Sequence, residues 1–307
     1  MANETQLAFR RYAGLIAGAM AQAPGRAFRA EAEGDSAVQV ERGSVYALAL
    51  EEQPDLRAVN ERVERLIRLA TGGLMADAAV VDRHGHQRPV YRPLLVYGGL
   101  QAFRVLYEVL PRVEFGRWDD GLRVGCDVLE AELGRVRLQE GGSPAARGGA
   151  VAQAAWAALA LFAAGKVFVR DAWTDLASDT FGRLTRGQTA EGTFLIPSPS
   201  DHPETWWYHE LVLLHAAGSY AVQAEDRTVA AAVARATAYH LRETQPDHAT
   251  SQPWALFPFV WNDQTRPLAD QVLHSAAVHS PGGADGVSLT LLADALYCLR
   301  LFERPAP

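Results

Sequence analysis

The chain has 307 residues, enough for one large domain or two small ones with a sizeable core. Its formal net charge of −7 offers nothing to a nucleic-acid backbone, which excludes nucleic acid as a partner. Two cysteines, Cys126 and Cys298, lie far apart and outside any CxxC pair, which argues against a disulfide framework and for a cytoplasmic chain.

The opening stretch MANETQLAFRRYAGLIAGAMAQAPG reads as an amphipathic first helix. A secretion signal fits it poorly, because Arg10 and Arg11 come late and Glu4 precedes them. Residues 26–51 hold the one β-like stretch, AVQVERGSVYALAL, whose alternation and turn at Arg42-Gly43 predict a small hairpin. Residues 1–53 are thus expected to form an N-terminal helix with a β-like attachment, and residues 54–307 a helical domain. Helices are predicted over Leu56–Ala70, Pro93–Leu110, Arg117–Val136, Ala145–Ala164, Val167–Thr185, Glu204–Gln223, Arg227–Thr244, Pro267–Val278 and Gly286–Glu303. Glycine and proline punctuate almost every junction. The longest apolar run, Gly148 to Gly165, is mostly alanine and contains Gln153, too weak and too short for a membrane span. A helix apolar on all sides is otherwise a buried one, which predicts an inner layer of helices.

Three segments share a spelling. GGSPAARGGAVAQAAWAALALF, IPSPSDHPETWWYHELVLLHAA and VHSPGGADGVSLTLLADALYCL align at Ser143-Pro144, Ser198-Pro199 and Ser280-Pro281, spaced by 55 and 82 residues. Proline biases the residue before it away from the helical region, so each Ser-Pro closes a loop and opens a helix. Helical hairpins in repeat proteins take roughly 40–50 residues. The first interval fits one hairpin, and the second fits one hairpin plus an inserted segment, Gln245–Thr265. The expected fold is all-α, an α/α toroid formed by a ring or partial ring of helical hairpins.

The segment GQTAEGTF carries Gln188, Gly192 and Phe194 in the spacing Q-x3-G-x-F. It resembles the QW motif of the terpenoid cyclase and protein prenyltransferase superfamily, with Phe194 where that family usually has Trp. The resemblance covers about Tyr91 to Phe302 and implies an α/α toroid that binds, or transforms, an apolar isoprenoid-like molecule in a central aromatic-lined cavity. In the family the Gln bonds near a helix end and the aromatic packs beside it. The catalytic motifs do not follow. The chain has no DxDD and no DDxxD; Asp119-Asp120 is only a pair, in the first turn of a helix, where carboxylates favour the dipole. The family's zinc ligands are missing as well, since Val124 stands where an Asp should precede Cys126. No cofactor or metal is expected. His209 and His215 in YHELVLLH are six apart, about 240° round a helix, so they cannot share one ion. His84 and His86 form a His-x-His pair, but Gly85 and the nearby prolines make a plain loop equally good.

Two loops repeat one pattern. PSPSDHPETWWYHE carries Asp201, His202, Glu204, Trp206, Trp207, Tyr208 and His209; QPDHATSQPWALFPFVW carries Asp247, His248, Trp254 and Trp261. Carboxylates beside histidine and tyrosine suit acid–base work, which nominates Asp201, His202, Glu204, Tyr208, His209, Asp247 and His248 as catalytic. Aromatic faces suit cations or the apolar faces of sugars, which nominates Trp206, Trp207, Trp254 and Trp261 as ligand-binding. Capping of the helix at 204 and helix–helix packing account for many of the same residues without any chemistry. Three functions stay open. The first is the isoprenoid-binding toroid, the second a carbohydrate-active lyase or hydrolase with Tyr208 and His209 as acid and base, and the third a scaffold or interaction module without catalysis. The partner is accordingly a small apolar or saccharide ligand in the first two. A closed apolar cavity would favour the first, an open cleft with acidic and aromatic walls the second, and a filled centre the third.

Overall fold

Helices make up most of the described chain, and the pattern of each one decides where it sits. The computed structural model describes residues 2–22, 37–39, 45–51, 54, 57, 59, 79–81, 90–109, 116–136, 144–197, 202–279 and 286–303. The predicted helix Leu56–Ala70, the His84/His86 pair, Asp201 and all three Ser-Pro serines lie outside these residues or only touch them.

The described helices are α1 (Ala2–Gln22), α2 (Val45–Ala49), α3 (Tyr91–Val109), α4 (Gly116–Val136), α5 (Pro144–Phe168), α6 (Asp171–Arg186), α7 (Pro203–Gln223), α8 (Arg227–Glu243), α9 (Pro246–Ala249), α10 (Leu256–Trp261), α11 (Arg266–His279) and α12 (Gly286–Glu303). Two three-residue strands, β1 (Ala37–Gln39) and β2 (Ala79–Val81), pair in parallel, Ala37 opposite Ala79. A parallel pair needs a long crossover, so this is no hairpin. The second half of the alternating segment turns instead into α2, whose five residues are all buried. Local alternation is overridden there by packing: α2 lies against α3 and α12.

Two kinds of helix alternate. On α8 the buried residues Val229, Ala232, Val233, Ala236, Thr237 and His240 recur every three or four positions, so one face is covered and the other faces water. Asp226 caps this helix, its carboxylate accepting from Thr228 N at 2.9 Å and Val229 N at 3.1 Å. On α4 the buried stripe is Leu122, Cys126, Leu129 and Leu133, and on α6 it is Trp173, Ala177, Thr180 and Phe181. By contrast α5 is buried all round from Ala154 to Ala164, and α7 from Glu210 to Ala221. Residues 148–168 are long and apolar enough to cross a membrane by length and composition, yet most of that span is buried inside the fold. The one-faced helices cover the others: α4 and α6 pack on α5, and α8 on α7. Each large side chain so buried is worth about 1.5–3 kcal/mol.

Among the mostly buried helices, α3 packs on α5, α5 on α7, α7 on both α10 and α12, α10 on α12, and α12 on α3. Helix α1 packs on α12 and α10, and α11 on α10. Two glycines make close approaches possible. A Cβ on Gly218 would stand 2.5 Å from Pro258 Cγ, so α7 and α10 meet only because that position is bare. Gly192 has φ +100°, and the tight turn there brings its backbone against Arg235. Gln188 locks the same turn, its Nε2 donating to Gly192 O at 2.7 Å and to Ala232 O at 2.8 Å, while Phe194 is buried beside it.

The long inserted segment Gln245–Thr265 is helical in part, which the sequence pattern does not suggest. Ala255 at φ 58° reverses the chain, and α10 follows at once. Pro258 falls in its first turn, where a missing N–H costs nothing. The boundary predicted at Val167 moves to Asp171, because α5 runs on to Phe168 and Val169 at φ 52° makes the turn.

Candidate functional site

The two loops nominated by the sequence are brought near one another through α9, which packs on α7. Among their described charged residues, His202 and Glu204, and Asp247 and His248, point outward and pair locally. His202 Nδ1 lies 3.8 Å from Glu204, and His248 Nε2 lies 3.8 Å from Asp247, each side chain about half exposed or more. Such pairs hold little energy and no fixed geometry for proton transfer. The aromatic residues point inward. Trp206 is buried edge-on to Tyr239, and Trp207 and Tyr208 are half-buried. His209 is half-buried over Gly148 and Gly149 of α5; a Cβ on Gly148 would meet its Nδ1 at 3.2 Å. Tyr208 stands beside His209, ring centroids 5.5 Å apart, and edge-on to Trp254 at 6.2 Å.

Glu210, the next residue, leaves the loop altogether. It is fully buried and accepts from Phe194 N at 2.7 Å and Leu195 N at 2.9 Å. Burial pushes its carboxyl up to about 8, against the pull of those two backbone donors. Its work is to tie the turn after α6 to α7.

Trp254 is the link from this rim to the interior. It is fully buried, and its ring stands 5.7 Å from Trp156 and 6.0 Å from His215. Beneath it lies a polar cluster that sequence reasoning missed. Asp294 of α12, with no exposure, takes Tyr97 OH and, at 3.5 Å, Tyr46 OH on Oδ1. Its Oδ2 takes Ser219 Oγ and His215 Nε2, the latter at 3.1 Å. Gln101 and Gln223 extend the cluster, each donating to Tyr97 OH, at 2.8 and 2.7 Å. Arg104 closes the outer end by donating to Gln223 Oε1 at 3.3 Å.

The tautomer of His215 follows from geometry. Its Nδ1 accepts from Ala255 N at 3.1 Å, so a neutral ring carries its proton on Nε2 and donates it to Asp294. Ser219 and His215 therefore both donate to the same carboxylate, and the serine makes no bond to the histidine. The triad arrangement, in which the base takes the serine's proton, is not formed. Burial first, and then the negative charge of Asp294, holds the Tyr97 phenol well above its usual range, so it stays a donor.

The cluster had a signal in the sequence. Tyr97 and Gln101, His215 and Ser219, and Asp294 and Cys298 are pairs four residues apart inside apolar helices, each pair on one face. Among the described residues no group of three or more His, Cys, Asp or Glu side chains is placed to hold a metal ion.

Trp261, the last nominated aromatic, is elsewhere. It stacks on Phe257 with centroids 5.6 Å apart and leans on Phe302 at 5.4 Å. With Phe302, Phe9 and Asp263 it borders an open cleft of about 640 Å³ between α1, α8, α10 and α12.

Compared with known proteins, the chain matches no family, no curated protein and no solved structure.

Proposed function

We propose that the chain is an α/α toroid acting as a binding or interaction module, without a catalytic centre inside the ring. In this reading α3, α5, α7, α10 and α12 are its inner helices, and α4, α6, α8, α11 and α1 the outer ones. The order of helix contacts supports the ring, with α12 returning to α3. The observation that carries the functional part is the filled middle. Trp156, Trp254, His215, Tyr97, Tyr46 and Asp294 come from five different elements and the loop before α10, and none has any exposure. An isoprenoid-like ligand needs an apolar cavity in that place, and these side chains occupy it. A glycosidase needs two carboxyl groups flanking its bond; the central cluster contributes one, Asp294, whose oxygens already face four donors.

A thermal-shift series with isoprenoid diphosphates plus magnesium, and with squalene-like lipids, tests this. A ligand at about 100 times its Kd adds about 2.7 kcal/mol to stability. No shift is expected from either class. A saturable shift that disappears in Trp254→Ala would place a ligand in the middle of the ring and sink the proposal.

A further inference from the structure

We propose that the cleft between α1, α8, α10 and α12 binds a neutral saccharide. This rests on the reading above in one respect only, that a ligand sits on the outside of the ring. The cleft's volume of about 640 Å³ lies within the range of small-molecule sites, about 300–1,000 Å³. One wall is aromatic. Phe9 and Phe302 stand 5.7 Å apart, Phe302 and Trp261 5.4 Å, and Trp261 is backed by the buried Phe257 at 21°. Trp261 is thus a braced, partly exposed ring, the kind of surface that the C–H face of a pyranose covers.

The α8 side is mostly apolar, Ala230, Val233 and Ala234 with Thr237, and the segment after α10 adds a polar edge without net charge. Asn262 and Gln264 bring side-chain amides; Asn262 Oδ1 is engaged by Gln264 N at 3.1 Å. Asp263 is an exposed carboxylate, and the Arg266 guanidinium is bonded to it, which cancels its charge locally. Among the described lining residues there is no Arg, Lys or His. A diphosphate or an acidic polysaccharide would find the nearby Arg266 already paired with Asp263 and no other cation among the described lining residues, and it would meet a chain of net charge −7. A purely apolar ligand would strip water from the amides without replacing it. A ligand with one apolar face and neutral hydroxyls at its edge satisfies the apolar walls and this polar edge, with the amides donating to and accepting from those hydroxyls.

The test uses the full chain, titrated with cellohexaose, maltohexaose and mannohexaose, read by tryptophan fluorescence and calorimetry. Oligogalacturonate and farnesyl diphosphate serve as charged probes. At least one neutral hexasaccharide is expected to bind saturably, and Trp261→Ala should weaken it tenfold or more. Phe302→Ala, at a side chain already 41% exposed, guards against a folding defect and should weaken binding severalfold. Failure of all three neutral probes, or binding untouched by both substitutions, overturns the cleft assignment and leaves the filled-centre reading standing. Binding of farnesyl diphosphate that Trp254→Ala abolishes overturns the filled-centre reading instead.

Discussion

The two nominated loops and the buried cluster around Asp294 are built from the same residue types, set in opposite surroundings. In the loops, His202 with Glu204 and His248 with Asp247 sit in water, 3.8 Å apart, and fix nothing. In the interior, His215 and Asp294 sit 3.1 Å apart with no exposure, and five elements converge on them. An Asp–His pair in a sequence therefore says little by itself. The apolar residues around it say whether it is solvated decoration or a structural joint.

Substitutions sharpen that contrast. Asp294→Ala should have the largest effect, because it leaves the donors of Tyr97, Ser219 and His215 buried without an acceptor. A loss of about 3–5 kcal/mol is expected in urea unfolding. Gly218→Ala should cost about 1–3 kcal/mol by driving a methyl into Pro258. A cost under half that would mean α10 is free to slide away from α7. Glu210→Gln should cost about 1–2 kcal/mol, since an amide can accept only one of the two backbone N–H groups well.

Glu210 also sets a pH dependence. The folded carboxyl keeps its proton up to about 8, while the unfolded chain loses it near 4.5. The folded state binds more protons in that window, so the stability from this group is full below pH 4.5 and is lost as pH rises through 8. Glu210→Gln should remove this slope from melting temperatures measured between pH 6.5 and 8. His240 works at the acid end. Burial pushes it down to about 3 from 6.5, so its contribution is full above pH 6.5 and is lost as pH falls toward 3. Below pH 6.5 the two slopes oppose each other, so the Glu210 slope stands alone from pH 6.5 to 8, and a wild-type profile that rises there would contradict the Glu210 assignment. The smallest effects belong to the exposed loop pairs, where His202→Ala and Asp247→Ala should each shift stability by less than about 0.5 kcal/mol.

Much of the helical fold was legible in the sequence, because periodic apolar faces and Gly/Pro junctions are local signals. Arg227–Thr244 and Gly286–Glu303 were bounded to within a residue. The inserted segment was not legible, since α10 depends on Ala255 entering the left-handed region and on Gly218 making room for Pro258. Nor is a parallel β1–β2 pair visible from either strand alone. The two loops stand out in the sequence as places where carboxylates, histidines and aromatics meet, but which of these side chains turn outward and which inward is decided by the fold. The central cluster escaped because its members lie on separate helices, and only the fold brings position 97 to position 294. A search for polar pairs four apart inside apolar helices would have found every member on α3, α7 and α12.

Helix α12 supplies both Asp294 and Phe302, and α1 leans on it. During synthesis, Ser219 leaves the ribosome 75 residues before the carboxylate that accepts its proton. At about 5–20 residues per second, that interval is about 4–15 s. For all of it Tyr97, His215 and Ser219 lack the acceptor that unites them. Contacts of such long sequence separation form late and slowly. The nascent chain must therefore carry these apolar helices without their common partner until α12 arrives. That interval is when a chaperone would matter most to this protein.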